Sequence, residues 1–321
     1  MRFPQIDHRG VPWPVVFALL VLGGCSDDSF IPGVRELPKQ QADFFPLVTG
    51  SEWTYDESFS VRIIPMDGSP EPPPEVLYAE GRRRLTGTET FSGREYTVEH
   101  RILFADSAPD TFETWSRYRQ DATGLYVADL PISQPPASVH RNPPGAVAAG
   151  YGARCLGQTY LAKKRDLSAS VRAVLREHID RGRRLSELPT LSGDSNDPAV
   201  EELKLLAYPL RPTAQWTVRA QPKLVVAFVE SEDTLNLAAG QLEAYRIRFE
   251  SELLDEADFE LRWYGTCGGL RTVTHLETMA TDSSTGEVVL IITEEIEELV
   301  ALQITGSSRC SVTPNQLAPS R

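Results

Sequence analysis

Histidine and cysteine are scarce, at five and four of 321 residues. There is no Cys-x-x-Cys, no His-Glu-x-x-His, no phosphate-binding loop and no Gly-x-Ser-x-Gly, so the usual short signatures of zinc sites, metalloproteases, nucleotide binding and serine hydrolysis are missing. Beyond the N-terminal region the histidines are His100, His140, His178 and His275, each in a different local context with no obvious partner beside it. His100 falls on an alternating apolar run and reads as a hydrogen-bonded interior histidine. No catalytic residue, metal ligand or cofactor is assigned from these residues, and a non-enzymatic protein is expected. Excess positive charge is lacking too. The net charge is −13, which opposes nucleic-acid binding, because that depends on cationic neutralisation of phosphates. It equally opposes a polybasic grip on anionic lipid.

What is present at the start is an address. Arg2 and Arg9 precede the apolar run Val15–Leu22, and the small residues Gly23 and Gly24 follow, the order of an export signal. The run is far shorter than the roughly 20 apolar residues of a membrane-spanning helix. "LGGC" at Leu22–Cys25 resembles the lipobox of bacterial lipoprotein precursors, with Gly23 where Ala or Ser is commoner. That resemblance implies cleavage after residue 24, acylation of Cys25 and a chain anchored by lipid without spanning the bilayer. Ser26, in the position where Asp favours inner-membrane retention in such lipoproteins, implies the periplasmic face of the outer membrane. Residues 25–42, polar and aperiodic with two prolines, read as a tether.

From residue 43 the pattern is extended. Tyr96, Val98, His100, Ile102 and Phe104 alternate with Glu95, Thr97, Glu99 and Arg101, which predicts a strand with the first set toward a core and the second toward water. Tyr245, Ile247 and Phe249 repeat the period in the second half. The halves also share motifs. Phe45-Pro46-Leu47 with Trp53-Thr54 lies over Tyr208-Pro209-Leu210 with Trp216-Thr217, and Gly124-Leu125 stands six residues after Tyr118 as Gly269-Leu270 does after Trp263. A duplication follows, with a first β repeat at 43–130, an insert at 131–204, a second repeat at 205–305 and a tail at 306–321. Trp53 and Trp216 read as core anchors.

"FFPLVTGSEWTY" and "WYGTCGGLRTV" resemble the opening and a later strand of a broad group of uncharacterised bacterial secreted proteins and lipoproteins, whose opening is F-P-L-x-x-G-x-x-W-x-Y. Pro46, Leu47, Trp53, Tyr55, Trp263, Gly269 and Leu270 carry the likeness, and Cys267 departs from it where the group usually has Gly. The resemblance implies a curved antiparallel sheet, in outline like the open barrels of lipoprotein carriers of the Lol type. The expected fold is therefore mainly β: two diverged β-meander repeats forming open-barrel-like curved sheets, with one amphipathic helix in the insert. That helix carries Leu167, Val171, Val174, Leu175 and Ile179 on one face, Asp166 or Ser168 as cap and Gly182 at its end.

Two acidic stretches look like cation sites and are better read otherwise. Asp194, Asn196 and Asp197 lack the central Gly and terminal Glu of a calcium loop, and Glu294–Glu298 ("EEIEE") reads as the wet face of a strand in a long closing hairpin turning at Ser283–Gly286. With Cys25 acylated, Cys155, Cys267 and Cys310 remain. Cys267 precedes the strand entering the closing hairpin and Cys310 follows the strand leaving it, so Cys267 with Cys310 is the expected disulfide. The functional expectation is a non-catalytic envelope lipoprotein, held to the membrane by its N-terminal lipid, that binds an envelope protein or an apolar ligand. A continuous apolar interior would mark a lipid binder. The alternative, a hydrolase acting on envelope material, would need two close carboxylates in unlike environments.

Overall fold

The computed structural model describes residues 44–91, 93–105, 111–128, 152–164, 167–186, 202–220, 224–252, 254–265, 267–306 and 311–312. The strands are β1 (Glu52–Pro65), β2 (Glu75–Phe91), β3 (Arg94–Ala105), β4 (Thr111–Asp121), β5 (Gly124–Ala128), β6 (Glu202–Ala207), β7 (Gln215–Arg219), β8 (Val225–Leu237), β9 (Gly240–Ser251), β10 (Phe259–Gly265), β11 (Gly268–Thr281), β12 (Val288–Gln303) and β13 (Ser311–Val312). Between β5 and β6 lie α1 (Gly152–Lys163) and α2 (Ala169–Ser186).

Twelve strands form one continuous sheet in the order β6-β5-β4-β3-β2-β1-β12-β11-β10-β9-β8-β7, and β13 pairs with β12. The ladders are antiparallel, as hairpin-connected strands with alternating burial require. The sheet curls almost into a barrel. Arg101 on β3 donates to Glu297 on β12, a strand three places away in the sheet, which only strong curvature allows. The end strands β6 and β7 meet at a seam. There Trp216 Nε1 donates to the Lys204 carbonyl at 3.0 Å, in place of a backbone ladder. Leu203, Leu205, Leu206, Val218 and Phe44 pack around that contact.

The matched sequence motifs fall on corresponding strands. Trp53 lies on β1 and Trp216 on β7, the first of six strands each, while Leu125 on β5 and Leu270 on β11 are buried near the start of the fifth. Glu202–Ala207 pairs with β5, so Leu205–Ala207 complete the edge of the first six strands before the Pro-Leu motif begins. Trp53 is 1% exposed and donates from Nε1 to the Cys267 carbonyl at 2.8 Å. Gly268, at φ +135°, lets the indole approach: a Cβ there would stand 2.7 Å from Trp53 Nε1.

The insert holds two helices where one was expected. Helix α2 has the predicted face, with Val171, Leu175 and Ile179 buried, and Ser168 Oγ accepts from the Val171 N–H at 3.4 Å as a cap. It passes Gly182 and ends at Ser186, since a helix already docked tolerates the roughly 1 kcal/mol that an interior glycine costs. Helix α1 was not anticipated, because its buried residues Leu156, Tyr160 and Leu161 make too sparse a stripe to stand out. Both helices pack on the concave face of the sheet, against Phe59, Val61, Leu103 and Ile291, and so fill one end of the barrel. His178 on α2 joins this packing through Nδ1 and Thr293 Oγ1, 3.2 Å apart.

Candidate functional site

The concave face is not apolar along its length. On β1 the buried residues alternate as Trp53, Tyr55, Glu57, Phe59 and Val61, and Glu57, in phase with the aromatics, is carried inside with them. Glu297 and Glu295 come from β12, Arg83 from β2, Glu99 and Arg101 from β3, Glu260 and Arg262 from β10. Arg101 Nη2 donates to Glu57 Oε1 at 2.5 Å and to Glu297 Oε2 at 2.8 Å. Arg83 Nη2 donates to the other oxygen of Glu297, and its guanidinium lies over the Tyr55 ring, 4.8 Å from the centroid. Arg262 Nε donates to Glu260 Oε1 at 2.5 Å. Room for the Glu57 carboxylate comes from Gly81 on the neighbouring strand, where a Cβ would sit 2.0 Å from Glu57 Oε1.

The carboxylates are unequal. Burial is the largest influence on Glu57 and raises its pKa despite Arg101. Burial also raises Glu99. Glu295 is pushed up to about 8 by burial, with the Glu57 charge adding to the effect, although its side chain is only partly buried and borders the cavity. Glu297 meets the same burial, yet the Arg83 and Arg101 guanidiniums outweigh it and hold the pKa down. One buried carboxylate is thus stabilised as an anion while its neighbours favour the proton.

These groups border a cavity of about 110 Å³ whose wall includes Arg83, Glu99, Arg101, Arg262, Glu295 and Glu297. Hydroxyls of Ser116, Thr272 and Thr274 and the aromatic rings of Phe45, Tyr118 and Tyr264 complete much of its surface. Glu99 Oε2, Arg83 Nε and Arg101 Nε make no hydrogen bond among the described residues. The volume suits a few water molecules and falls well below the roughly 300–1,000 Å³ of a small-molecule site.

Two sequence expectations are corrected here. Glu99 and Arg101, expected toward water, are 3% and 7% exposed, while Phe104, expected toward the core, is 37% exposed. The strand keeps the predicted period in one unbroken register, and the face expected toward water, with Thr97, Glu99, Arg101 and Leu103, is the buried one, because the barrel interior is lined by charge. In the same way "EEIEE" is not all wet: Glu295 and Glu297 point inward and Glu294 and Glu298 outward, with Glu294 near His275 and Glu298 near Arg271. The continuous apolar interior that would mark a lipid binder is absent among the described residues. His100 lies half-buried on the convex face, stacked on Trp115 at 4.9 Å and hydrogen-bonded to Glu113 at 3.1 Å. His275 stacks likewise on Phe259 at 4.9 Å. His140 lies outside the described residues.

Cys25 also lies outside the described residues. Cys267 is buried and disulfide-bonded; it holds φ +77°, a conformation in which L-residues other than Gly are strained, which gives a physical reason for glycine at this position in the group it resembles. β1 occupies one flank of Leu302 and Gln303 on β12, so β13, paired with the same two residues, runs along the flank that β11 shares. Cys310 immediately precedes β13. Cys155 belongs to α1, whose Leu156 packs at the Phe59–Val61 end, whereas Cys267 packs with Trp53 and Ile304. Six strand residues from Trp53 to Phe59 span roughly 20 Å, beyond the reach of a disulfide, whose Cα atoms lie within about 7 Å. Non-reducing peptide mapping is expected to recover Cys267 joined to Cys310 with Cys155 alkylatable; a Cys155–Cys267 peptide refutes the pairing.

No known protein family matches the chain, and no curated protein does. Among solved structures, a Bacteroides fragilis protein described as exported and of YmcC-like fold is similar at 9% identity and a TM-score of 0.34, over 81% of this chain and 99% of that one. A protein described as a lipoprotein, from Parabacteroides distasonis, is similar at 11% identity and a TM-score of 0.31, over 81% and 98%. Similarity at this level does not transfer a function.

Proposed function

We propose that this chain is a non-catalytic lipoprotein of the cell envelope, held by acyl chains on Cys25 at the periplasmic face of the outer membrane, whose barrel body engages a protein partner through its outer surface. The observation that carries the binding part is the filled interior. Two helices and an ion-pair cluster occupy the barrel, and the cavity of about 110 Å³ beside them among the described residues, walled in part by charged groups and in part by side chains such as Leu125, Val127 and Leu205, is too small for an acyl chain or a sugar polymer. Recognition therefore belongs on the outside. The export signal, "LGGC" and Ser26 support the anchoring part.

Mass spectrometry of protein purified from membranes is expected to show a chain starting at an acylated Cys25, and native spectra to show no co-purified apolar ligand. Cys25→Ser is expected to move the protein from the membrane to the soluble fraction. Continued membrane attachment of a correctly cleaved variant overturns the anchor, and a stoichiometric bound lipid overturns the filled-barrel reading.

One observation favours the hydrolase reading enough to test it: Glu57 favours the proton and Glu297 the charge, the asymmetry of an acid and base pair. Both carboxylates are already engaged by Arg101, and the cavity excludes a polymer. Glu57→Gln and Glu297→Gln are expected to alter stability and leave no hydrolytic activity to lose.

A further inference from the structure

The charges around the cavity do not balance. Glu57, Glu99, Glu260, Glu295 and Glu297 are five carboxylates clustered there, and Arg83, Arg101 and Arg262 are three guanidiniums; the other buried inward arginine, Arg219, lies on β7 opposite Val225. Arg262 is matched to Glu260, and Arg83 and Arg101 converge on Glu297 with Glu57 sharing Arg101. Glu295 has no ion pair among the described residues, and Glu99 Oε2 and Glu57 Oε2 have no hydrogen-bond partner there. An unpaired carboxylate largely withdrawn from solvent and set among other carboxylates is costly to ionise, and taking up a proton relieves that cost.

We propose that the closed barrel is a proton-dependent state, in which the surplus carboxylates around Glu295 are neutralised by bound protons and their ionisation loosens the helical plug. The connection to the plug is short. Thr293, two residues from Glu295 on the same buried face of β12, meets His178 of α2. The charged groups acting on Glu295 come from every wall: Glu57 of β1, Arg101 of β3, Glu260 of β10 and Glu297 of β12, with His178 of α2 two residues along the strand. Arg83 of β2, Glu99 of β3 and Arg262 of β10 line the same cavity, and three of the four groups acting on Glu295 are carboxylates, so a charge there adds repulsion that guanidiniums already shared with Glu57, Glu297 and Glu260 must offset.

The direction of the pH effect follows from linkage. A carboxyl whose value rises on folding, here from the ordinary 4.5 to about 8 for Glu295, binds its proton more tightly in the folded state. Its stabilising contribution is complete below about pH 4.5 and is lost as pH rises through about 8. Glu297, held low, acts in the opposite sense and only in acid, so the two effects occupy separate pH ranges.

The experiment is urea unfolding of the intact protein from pH 6 to 9, with hydrogen exchange of α2 across the same range. The wild-type midpoint is expected to fall by on the order of 1 M while α2 amides lose protection before those of β1 and β12. Glu295→Gln is expected to flatten the pH dependence and to be the more stable form at pH 9. If that variant fails to fold, the wild type still decides: refolding in weakly buffered solution at pH 7.5 is expected to take up protons. A midpoint independent of pH between 6 and 9, or refolding without proton uptake, overturns the proposal. A pH-dependent midpoint with α2 protected in step with the strands overturns the link to the plug.

Discussion

Trp53→Ala is expected to destabilise the protein by about 4 kcal/mol, within the range of about 3–5 kcal/mol for emptying a buried aromatic site. The indole is 1% exposed and stacks on Phe45 at 5.7 Å. It also ties the first strand to the strained turn at Cys267, through a hydrogen bond that an alanine leaves unmade. Trp53→Phe separates the two contributions: it keeps most of the packing and is expected to cost about 1–3 kcal/mol for the orphaned carbonyl and the smaller ring. Trp216→Ala belongs to the same size class, since Trp216 is 8% exposed and bonds Lys204 across the seam. Equilibrium unfolding in urea measures all three, and a near-zero loss at either tryptophan contradicts its place in the core.

Arg101→Leu is the second large effect, expected at about 3–5 kcal/mol because it strips a buried partner from two carboxylates at once. The deficit should depend on pH. Without the guanidinium, Glu57 favours the proton more strongly still while Glu297 keeps Arg83, so the loss is greatest at neutral pH and shrinks as acid protonates Glu57. Replacing Glu57 by Leu in the same chain should recover part of the stability, since an absent charge needs no counterion. A double-mutant cycle reads this as a coupling between the two sites, and additivity would show that Arg101 and Glu57 do not depend on one another.

The strand period in Tyr96–Phe104 was legible, and so were the closing hairpin and the α2 face, because each follows from alternation or helical spacing alone. Periodicity defines two faces without saying which is inside. The rule that charge faces water chose wrongly at Glu99 and Arg101, since the enclosed face of a narrow barrel can hold ion pairs if enough strands contribute to them. A signal was available on β1, where Glu57 stands in step with Trp53, Tyr55, Phe59 and Val61. Its partners were not, because Arg83, Arg101 and Glu297 lie up to 240 residues away and meet only through curvature. Helix α1 went unseen for want of a continuous stripe. At Cys267 the left-handed backbone under the Trp53 indole was not legible in the sequence.

The joint between β6 and β7 is the least-bonded line of the barrel among the described residues. Parting any neighbouring pair of strands elsewhere around the ring breaks a row of backbone hydrogen bonds, whereas parting these two gives up the Trp216–Lys204 clasp and the leucine contacts beside it. A hoop fastened by a single buckle opens there first. Swelling of the interior, by hydration of its carboxylates or by strain on the helices, will concentrate at that line, and the two strand edges it bares are where another chain's strand could add to the sheet.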